Sequence, residues 1–436
     1  MRASAPPRLR LHGWRHPAVV AVALLGVAAG FAQYAVTASL SDVAAAFGAN
    51  GGADTITEQA GLSVTTVGLG LAVIRCASLA ALPVSSVADR VGRRRVLVWC
   101  TAAGLTLTAL AAISPSFWWF VAIVAVGRPL LSAATAVGAV VAGEETTSEH
   151  RTKAVALAIA GYGIGVGLVS VVRVPVSSVL GAGFRGLFAL ALVALLALPL
   201  IARLLEEPDR FVRMRADAQR LVRRRVLAAV HPNLRGRLLV LTGVSFAINF
   251  VTGPANTFLF FYAEGNLGVT RAAMAGATIT AGALGLLGLL VGRWAADRLG
   301  RRTACLLTHV LLTAAGVLLY SGTPVALFAG YWLGVLIQGA YGPAFGAIST
   351  EVFPTSNRAT AQGWLTAAGV LGAVAGLVLF GAVSDATDSY IVGALAVCLP
   401  CALAAAGYLA LPETRGQELE QSAPEIGVTR QPRTTR

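Results

Sequence analysis

The chain has 436 residues, of which 56% are hydrophobic and only 12% are charged. Soluble globular domains carry about a quarter charged residues, so this composition excludes an ordinary soluble protein and indicates a lipid environment. The formal net charge of +14 would suggest nucleic-acid binding in a soluble protein. In a membrane protein, an excess of Lys and Arg on cytoplasmic loops accounts for it, and we expect membrane lipids but no nucleic acid as partners.

Apolar runs of about twenty residues recur along the chain, and each is long enough to cross a hydrocarbon core of roughly 30 Å as a helix. A backbone in lipid must satisfy its own hydrogen bonds, so helices are the expected spans. The sequence predicts an all-α membrane protein with twelve transmembrane helices at residues 17–39, 63–87, 96–113, 117–143, 154–176, 184–203, 237–262, 271–293, 303–321, 325–350, 360–383 and 388–411.

The polar segments divide the chain into five predicted parts. These are an N-terminal tail at 1–16, a six-helix bundle at 17–203, a linker at 204–236, a second six-helix bundle at 237–411 and a C-terminal tail at 412–436. Basic residues concentrate in the tails, the linker and every second loop, which predicts that these segments and both termini are cytoplasmic. We expect a multi-pass protein of the cell membrane, with the linker lying on the lipid surface.

One short basic phrase occurs twice. It reads VADRVGRRR after the second span and AADRLGRRT after the eighth, with Asp89 and Asp297 208 residues apart. The pair EETTSEHR and EVFPTSNR follows the fourth and tenth spans, and EEPDR and PETR follow the sixth and twelfth. Three charged elements that recur in the same order indicate a tandem duplication of a six-helix unit.

These repeated elements predict a cytoplasmic gate and conformational network. Glycines give the short turns their backbone freedom, and arginines offer forked donors to carboxylates at neighbouring helix ends. We expect ion pairs that hold the helices together in one conformation and release them in another. The alternative is that the charges only fix the orientation in the membrane. The network residues are Asp89, Arg90, Gly92, Arg93, Glu144, Arg151, Asp297, Arg298, Gly300, Arg301, Glu351 and Arg358.

The sequence resembles the major facilitator superfamily, whose signature G-x-x-x-D-R-x-G-R-R follows the second and eighth helices. The resemblance covers about residues 17–415, with Ser85 at the first glycine position of one copy and Gly292 displaced by one position in the other. It implies two pseudo-symmetric six-helix bundles, alternating access and proton coupling. The segments STEVFPTSNRATAQG and PETRGQELE resemble the branch of sugar porters and organic-acid permeases. The seventh-helix sugar pattern is only partly met, because Asn249 and Phe250 replace its glutamines.

Two arginines interrupt apolar spans near mid-membrane, Arg75 in the second and Arg128 in the fourth. A charge there costs at least ~2.5 kcal/mol, which makes each a functional candidate. No carboxylate sits comparably deep, so we expect an anionic substrate such as a carboxylate to supply the missing charge. The alternatives are that an arginine reaches towards the surface, or pairs with Asp42 or with a helix carbonyl. The fourth-helix segment RPLLS resembles a family element whose arginine is associated with protons or substrate.

Polar and aromatic residues in otherwise apolar helices complete the predicted substrate site. The resemblance implies that the first, fourth, seventh and tenth helices line a central cavity. Each of these residues could instead form a hydrogen bond between helices. They are Gln33, Tyr34, Asn249, Asn256, Gln338, Tyr341 and Trp364.

The predicted function is secondary active transport of a small organic anion, coupled to protons. The alternatives are a drug/proton antiporter, a sugar transporter and a transporter-derived membrane sensor. The sequence holds no metal-ligand cluster, phosphate-cradling loop or catalytic constellation, so we expect neither an enzyme nor a cofactor. We expect a monomer.

Overall fold

The computed structural model describes Gly13 and residues 15–48, 62–206 and 234–415, so most of the predicted linker and both predicted tails lie outside the described residues. Within these ranges the chain forms twelve helical spans, numbered here in chain order, and no strand. Several spans consist of two or three helical pieces. Their bounds are: span 1, Pro17–Ala38; span 2, Val64–Ala77, Ser78–Ala80 and Ala81–Val91; span 3, Arg93–Ala111; span 4, Phe117–Glu145; span 5, Ser148–Ser178; span 6, Gly183–Ala189 and Ala191–Arg203; span 7, Arg235–Thr257 and Leu259–Gly265; span 8, Arg271–Leu299; span 9, Arg301–Leu319; span 10, Pro324–Glu351; span 11, Thr355–Thr387; span 12, Tyr390–Ala404 and Ala405–Ala410.

Eleven of these spans are long and apolar enough to cross a bilayer by length and composition. Span 3 is the twelfth, and the three arginines with which it begins lower its mean hydropathy. The prediction of an all-α membrane protein with twelve helices is confirmed.

Several helices extend beyond the apolar runs that predicted them. Span 5 begins at Ser148 rather than at residue 154, and span 11 begins at Thr355 rather than at residue 360. The length of an apolar run matches the thickness of the hydrocarbon core, whereas the helix itself can continue into the interface as long as its backbone hydrogen bonds remain favourable. A short helix that the sequence did not predict, Leu40–Phe47, follows span 1.

The chain folds into two compact units. Unit 1 contains the described residues up to 206 together with Pro254–Gly282 and Leu377–Ser389, and unit 2 contains the other described residues. The predicted bundle boundaries at residues 203 and 237 stay a prediction.

In unit 1, spans 1 and 5 pack backbone to backbone along a row of glycines. A Cβ atom on Gly30 would collide with the backbone of Tyr162, and one on Gly161 would collide with the backbone of Ala23. Such small residues allow transmembrane helices to approach closely, since lipid offers no hydrophobic driving force for their association. The glycine-rich sequence of span 5 therefore serves packing against span 1.

In unit 2, spans 8 and 10 make a similar close contact. A Cβ on Gly292 would collide with the backbone of Ala340, and one on Gly288 would collide with that of Leu336. Gly292 is the glycine that lies one position away from the signature, and its place is explained by this helix contact.

Candidate functional site

The glycine of the repeated phrase has a backbone conformation that other residues avoid. Gly300 has φ 95° and ψ 156°, and span 9 begins at the next residue. A Cβ at Gly300 would also lie 2.6 Å from Oε2 of Glu413. Gly92 has φ 122° at the equivalent turn, where span 3 begins. The phrase therefore needs glycine because a residue with positive φ and extended ψ immediately precedes each helix.

Glu413, from the segment PETR, closes the start of span 9. Its Oε1 accepts a hydrogen bond of 2.8 Å from the backbone N–H of Arg301, and its Oε2 accepts one of 3.1 Å from that of Arg302. A carboxylate is favourable there because the first amides of a helix lack partners and carry partial positive charge. The sequence noted this segment only as a mark of the repeat, and Glu413 is absent from the predicted network.

Arg301 connects the carboxylates of the second copy. Its Nη1 donates to Oδ1 of Asp297 at 2.7 Å, and its Nε lies 3.7 Å from Oε1 of Glu351. The hydroxyl of Thr414 donates to the other oxygen of Glu351 at 2.5 Å. Arg298 takes part through its carbonyl, which accepts from Arg415 at 2.7 Å. Spans 8, 9 and 10 are thus joined to the segment that follows span 12.

The next arginine of each copy makes the same contact. Nη2 of Arg94 donates to the carbonyl of Ala202 at the end of span 6, at 3.2 Å. Nη1 of Arg302 lies 3.4 Å from the carbonyl of Leu409 and 3.5 Å from that of Leu411, at the end of span 12. The repeat is therefore visible in three dimensions as well as in sequence.

The first copy is less completely described. Arg93 is buried at the start of span 3. The side chains of five predicted network residues lie outside the described residues: Asp89, Arg90, Glu144, Arg151 and Arg358. The role of the network in conformational change stays a prediction.

Arg128 and Gln33 lie together in unit 1, within spans 4 and 1. Nη1 of Arg128 donates to the backbone carbonyl of Gln33 at 3.1 Å, and the hydroxyl of Ser132 donates to Oε1 of Gln33 at 3.4 Å. Nε of Arg128 and Nε2 of Gln33 are buried without a hydrogen-bond partner. Arg128 thus meets a helix carbonyl, one of the alternatives given above, yet one of its buried donors remains unused.

Arg75 in span 2 belongs to the same charged region. Arg75 is half-buried as a residue, and its guanidinium lies within electrostatic range of Arg128 and of the Tyr162 phenol. Within the described part of the chain, neither Arg75 nor Arg128 forms an ion pair with a carboxylate. Asp42, considered as a partner for Arg75, pairs with other arginines. Two guanidinium groups therefore face this region without a described counter-ion.

The other predicted substrate contacts are spread over both units. Tyr34 and Asn256 lie in unit 1, and the ring of Tyr34 meets that of Phe260 edge on at 6.0 Å. In unit 2, the amide of Asn249 donates to the carbonyl of Ser245 on its own helix at 2.9 Å. Gln338 and Trp364 are exposed.

Tyr341 is packed into the core of unit 2. Its hydroxyl shares a hydrogen bond of 2.8 Å with that of Tyr408, and its ring meets His309 edge on. His309 is fully buried beside the Cys401 thiol. Contact of substrate with the residues of unit 2 stays a prediction, and Tyr341 already has a partner for its hydroxyl.

A third arginine inside an apolar span, Arg173, was missed by the sequence reasoning. Arg173 lies five residues before the end of span 5 and is only 2% exposed. Its Nε donates to Asp42 at 3.0 Å, and its two terminal nitrogens donate to the two carboxylate oxygens of Glu264 at 2.5 Å each. Arg271 donates to the other oxygen of Asp42 at 2.6 Å. The available signal was the one that identified Arg75 and Arg128, a charge inside an apolar run.

These four residues, Asp42, Arg173, Glu264 and Arg271, are called the distal ion cluster. They lie at the end of unit 1 where span 1 ends and span 2 begins, the distal end. Asp385 forms a second polar contact at this end, because its carboxylate accepts from the backbone N–H groups of Val64 and Thr65 at 2.9 and 2.7 Å. A carboxylate at the end of span 11 thereby caps the unpaired backbone N–H groups at the start of span 2.

The family model of the Major Facilitator Superfamily matches residues 22–295 and 266–433. The chain belongs to this superfamily. Its signature turns are the two copies of the basic phrase, and the geometry of Gly92 and Gly300 explains the glycine that they share. Superfamily membership makes the protein a multi-pass membrane transporter of small molecules rather than an enzyme, as the sequence predicted.

Two curated relatives are similar over most of their length. A Haemophilus influenzae protein described as a metabolite transport protein is 25% identical over 355 residues, which cover 77% of this chain and 84% of that one. A Cupriavidus pinatubonensis protein described as a 4-methylmuconolactone transporter is 27% identical over 377 residues, covering 83% and 85%.

Solved transporters of the superfamily share the fold. The xylose transporter XylE of Escherichia coli, in an inward open conformation, has a TM-score of 0.71 at 16% identity, covering 93% of this chain and 98% of that one. The nucleoside transporter NupG has a TM-score of 0.67 at 13% identity, covering 90% and 99%. At these identities the likeness establishes the architecture alone.

Proposed function

We propose that this superfamily member is a secondary active transporter of a small organic anion, such as a carboxylate, coupled to protons. The observation that carries the proposal is the pair Arg75 and Arg128, inside membrane-spanning helices and without a described carboxylate partner. A substrate carboxylate would supply the missing negative charge and accept hydrogen bonds from a guanidinium. The relative described as a 4-methylmuconolactone transporter supports an organic solute.

The unused donors add a geometric argument. Nε of Arg128 and Nε2 of Gln33 are buried and have no partner within the described chain. A buried donor without a partner carries a desolvation cost of about 1–3 kcal/mol, which a bound acceptor removes. The nearby backbone contact leaves the Arg128 side chain held in place by the carbonyl of Gln33. This preorganisation favours an anionic ligand over a neutral one.

The proposed location is the cell membrane, with both termini and the basic turns in the cytoplasm. The arginines of the turns, such as Arg94 and Arg302, support this orientation, since cytoplasmic loops are enriched in Lys and Arg. The distal end would then face outward. Alternating access between the two faces is the proposed mechanism.

The test is a thermal-shift screen of the purified full-length protein against small carboxylates, sugars and cationic drugs. We expect a carboxylate to raise the unfolding midpoint of the wild type, and to lose this effect in Arg75→Ala and in Arg128→Ala. Arg185→Ala is the matched control, because its guanidinium donates to the carbonyls of Ala112 and Ser114 and lies 5.3 Å from the ring centre of Phe184, all within unit 1. Stabilisation by a sugar or a cationic drug that is indifferent to both substitutions would contradict anion recognition.

A further inference from the structure

A partly open cavity of about 270 Å³ lies among spans 1, 3, 4 and 5 of unit 1. It exists because spans 1, 4 and 5 line it with very small residues, which are Gly26, Ala134, Gly138, Ala139 and Ala158. Packed protein interiors leave few voids larger than a water molecule, and an apolar cavity of about 150 Å³ is already enough to bind benzene. This space is therefore large enough for the ring or the short chain of a small ligand.

The lining of this cavity is almost entirely apolar. Only two of the residues that line it, Thr135 and Tyr162, have polar side chains. The Thr135 hydroxyl is already used, because it donates to the carbonyls of Leu131 and Ser132 on its own helix at 3.2 and 2.8 Å. A ligand hydroxyl buried here would find few partners and would carry a desolvation cost. The cavity therefore favours a hydrocarbon group and disfavours a sugar-like body.

Tyr162 joins this cavity to the region of Arg75 and Arg128. The backbone of Tyr162 packs against Gly26 and Gly30 of span 1, which fixes the position of its side chain. That side chain lines the cavity, and its phenol lies within electrostatic range of both arginines. The cavity and the two guanidinium groups are thus neighbouring parts of one region, with Tyr162 at their boundary.

One small molecule can span the two parts. On span 4, Thr135 lies seven residues after Arg128, which is about 10 Å along the helix axis at ~1.5 Å per residue. Towards spans 3 and 6, by contrast, the cavity that contacts Arg128 and Gln33 measures only about 10 Å³. That volume holds at most about one water molecule. The body of a ligand whose carboxylate reaches Arg128 therefore fits on the side of Tyr162 and not on the side of spans 3 and 6.

We propose that the cavity beside Tyr162 binds the hydrocarbon body of the transported carboxylate, whose negative group lies at Arg75 and Arg128. The substrate class is then a small carboxylate with an unhydroxylated ring or short alkyl chain, rather than a hydroxylated acid. The inference rests on the proposed transport of an organic anion, and it adds the chemistry of the rest of that molecule.

The test compares four compounds by their apparent dissociation constants, obtained from the rise of the unfolding midpoint of the full-length protein with ligand concentration. Cyclohexanecarboxylate carries both the ring and the charge. Acetate has the charge without the ring, cyclohexanol has the ring without the carboxylate, and quinate adds several hydroxyls to the same ring and carboxylate. We expect cyclohexanecarboxylate to bind the wild type at least about tenfold more tightly than each of the other three, because buried methylenes favour binding and buried hydroxyls without partners oppose it.

A substitution at Ala139 locates the preference in the cavity. Ala139 is half-buried and lines the cavity, so Ala139→Leu fills part of it. We expect this variant to bind cyclohexanecarboxylate at least about tenfold more weakly and acetate unchanged, because acetate has no body to place there. Ala197→Leu is the matched control, since it makes the same change at an exposed position of span 6 that does not line the cavity, and it should bind like the wild type. If Ala139→Leu does not purify, Ala139→Val intrudes less and should weaken cyclohexanecarboxylate by about threefold.

Equal affinities of quinate and cyclohexanecarboxylate for the wild type would overturn the inference, and so would a preference that survives unchanged in the Ala139 variants. Carboxylate binding that depends on Arg75 and Arg128 would in that case still support the proposed function. If cyclohexanol binds as tightly as cyclohexanecarboxylate, or if no carboxylate binds, anion recognition itself fails, and this inference fails with it. The two failures are therefore distinguishable.

Discussion

The distal ion cluster of unit 1 and the charged turn of unit 2 use the same residue types in different environments. In the cluster, Arg173 is 2% exposed and each of its carboxylate partners is below 10%. In the turn, Asp297 is 55% exposed and its second partner, Arg293, is 82% exposed. Exposed pairs contribute about 0–1 kcal/mol, whereas breaking a buried pair costs several. Burial, rather than the number of ion pairs, separates the two sites.

The backbone gives the turn a different kind of constraint. In the turn at Gly300, the carboxylate of Glu413 acts on the main chain, because it accepts hydrogen bonds from the backbone N–H groups of Arg301 and Arg302 at the start of span 9. The cluster, by contrast, consists almost entirely of side-chain contacts. The turn is therefore specified by main-chain geometry, and the distal ion cluster by charge balance.

The largest effect is expected from Arg173→Met. Methionine fills much of the volume of arginine, but Asp42 and Glu264 lose their shared guanidinium, and the unfolding free energy should fall by about 3–5 kcal/mol. The measurement is the thermal unfolding midpoint of the full-length protein in detergent. Arg293→Met is the matched control and should be near neutral, because this exposed side chain lies 3.9 Å from Asp297. Equal losses in the two variants would contradict the comparison.

A smaller effect is expected from Gly300→Ala. The φ of 95° with ψ of 156° belongs to a region essentially restricted to glycine, which costs about 1–3 kcal/mol for other residues. The new methyl group would also press on Glu413. Gly243→Ala is the control, since it lies inside a helix with open space around it and should stabilise slightly. The midpoint of thermal unfolding should fall only in Gly300→Ala, and an unchanged midpoint there would mean that the turn relaxes freely.

The sequence predicted features that recur along the chain, but it did not predict which distant residues contact each other. Apolar length located all twelve spans, because the hydrocarbon core imposes one length on every helix. The repeat located the turns around Gly92 and Gly300. Neither signal shows which polar atoms meet. Arg173 lay in an apolar run like Arg75, but its partners are 131 and 91 residues away, and pairing at that distance follows only from the fold.

The predicted site residues show the same limit: the sequence identified them one by one, but it did not show their partners. Gln33 and Arg128 were selected individually as polar residues in apolar helices, and the structure brings them together through a backbone carbonyl. Tyr341 carried the same signal but lies in a core with Tyr408 and His309. Polarity inside a span identifies a residue that needs a partner, whereas only packing decides whether that partner is another helix or a ligand.

The smallest effect is expected from Asp297→Asn, which removes the carboxylate from its ion pair of 2.7 Å with Arg301. Because Asp297 is more than half exposed, solvent screens the pair, and the unfolding free energy should fall by less than about 1 kcal/mol. Raising the ionic strength from about 0.1 M to about 1 M shortens the screening length to ~3 Å and should remove most of this difference. The loss in Arg173→Met should depend much less on salt, because ions screen buried pairs less than exposed ones. Thermal midpoints measured at both salt concentrations therefore distinguish a screened ion pair from a buried one. A loss in Asp297→Asn that does not change with salt would show that the turn is more enclosed than the exposure of Asp297 indicates.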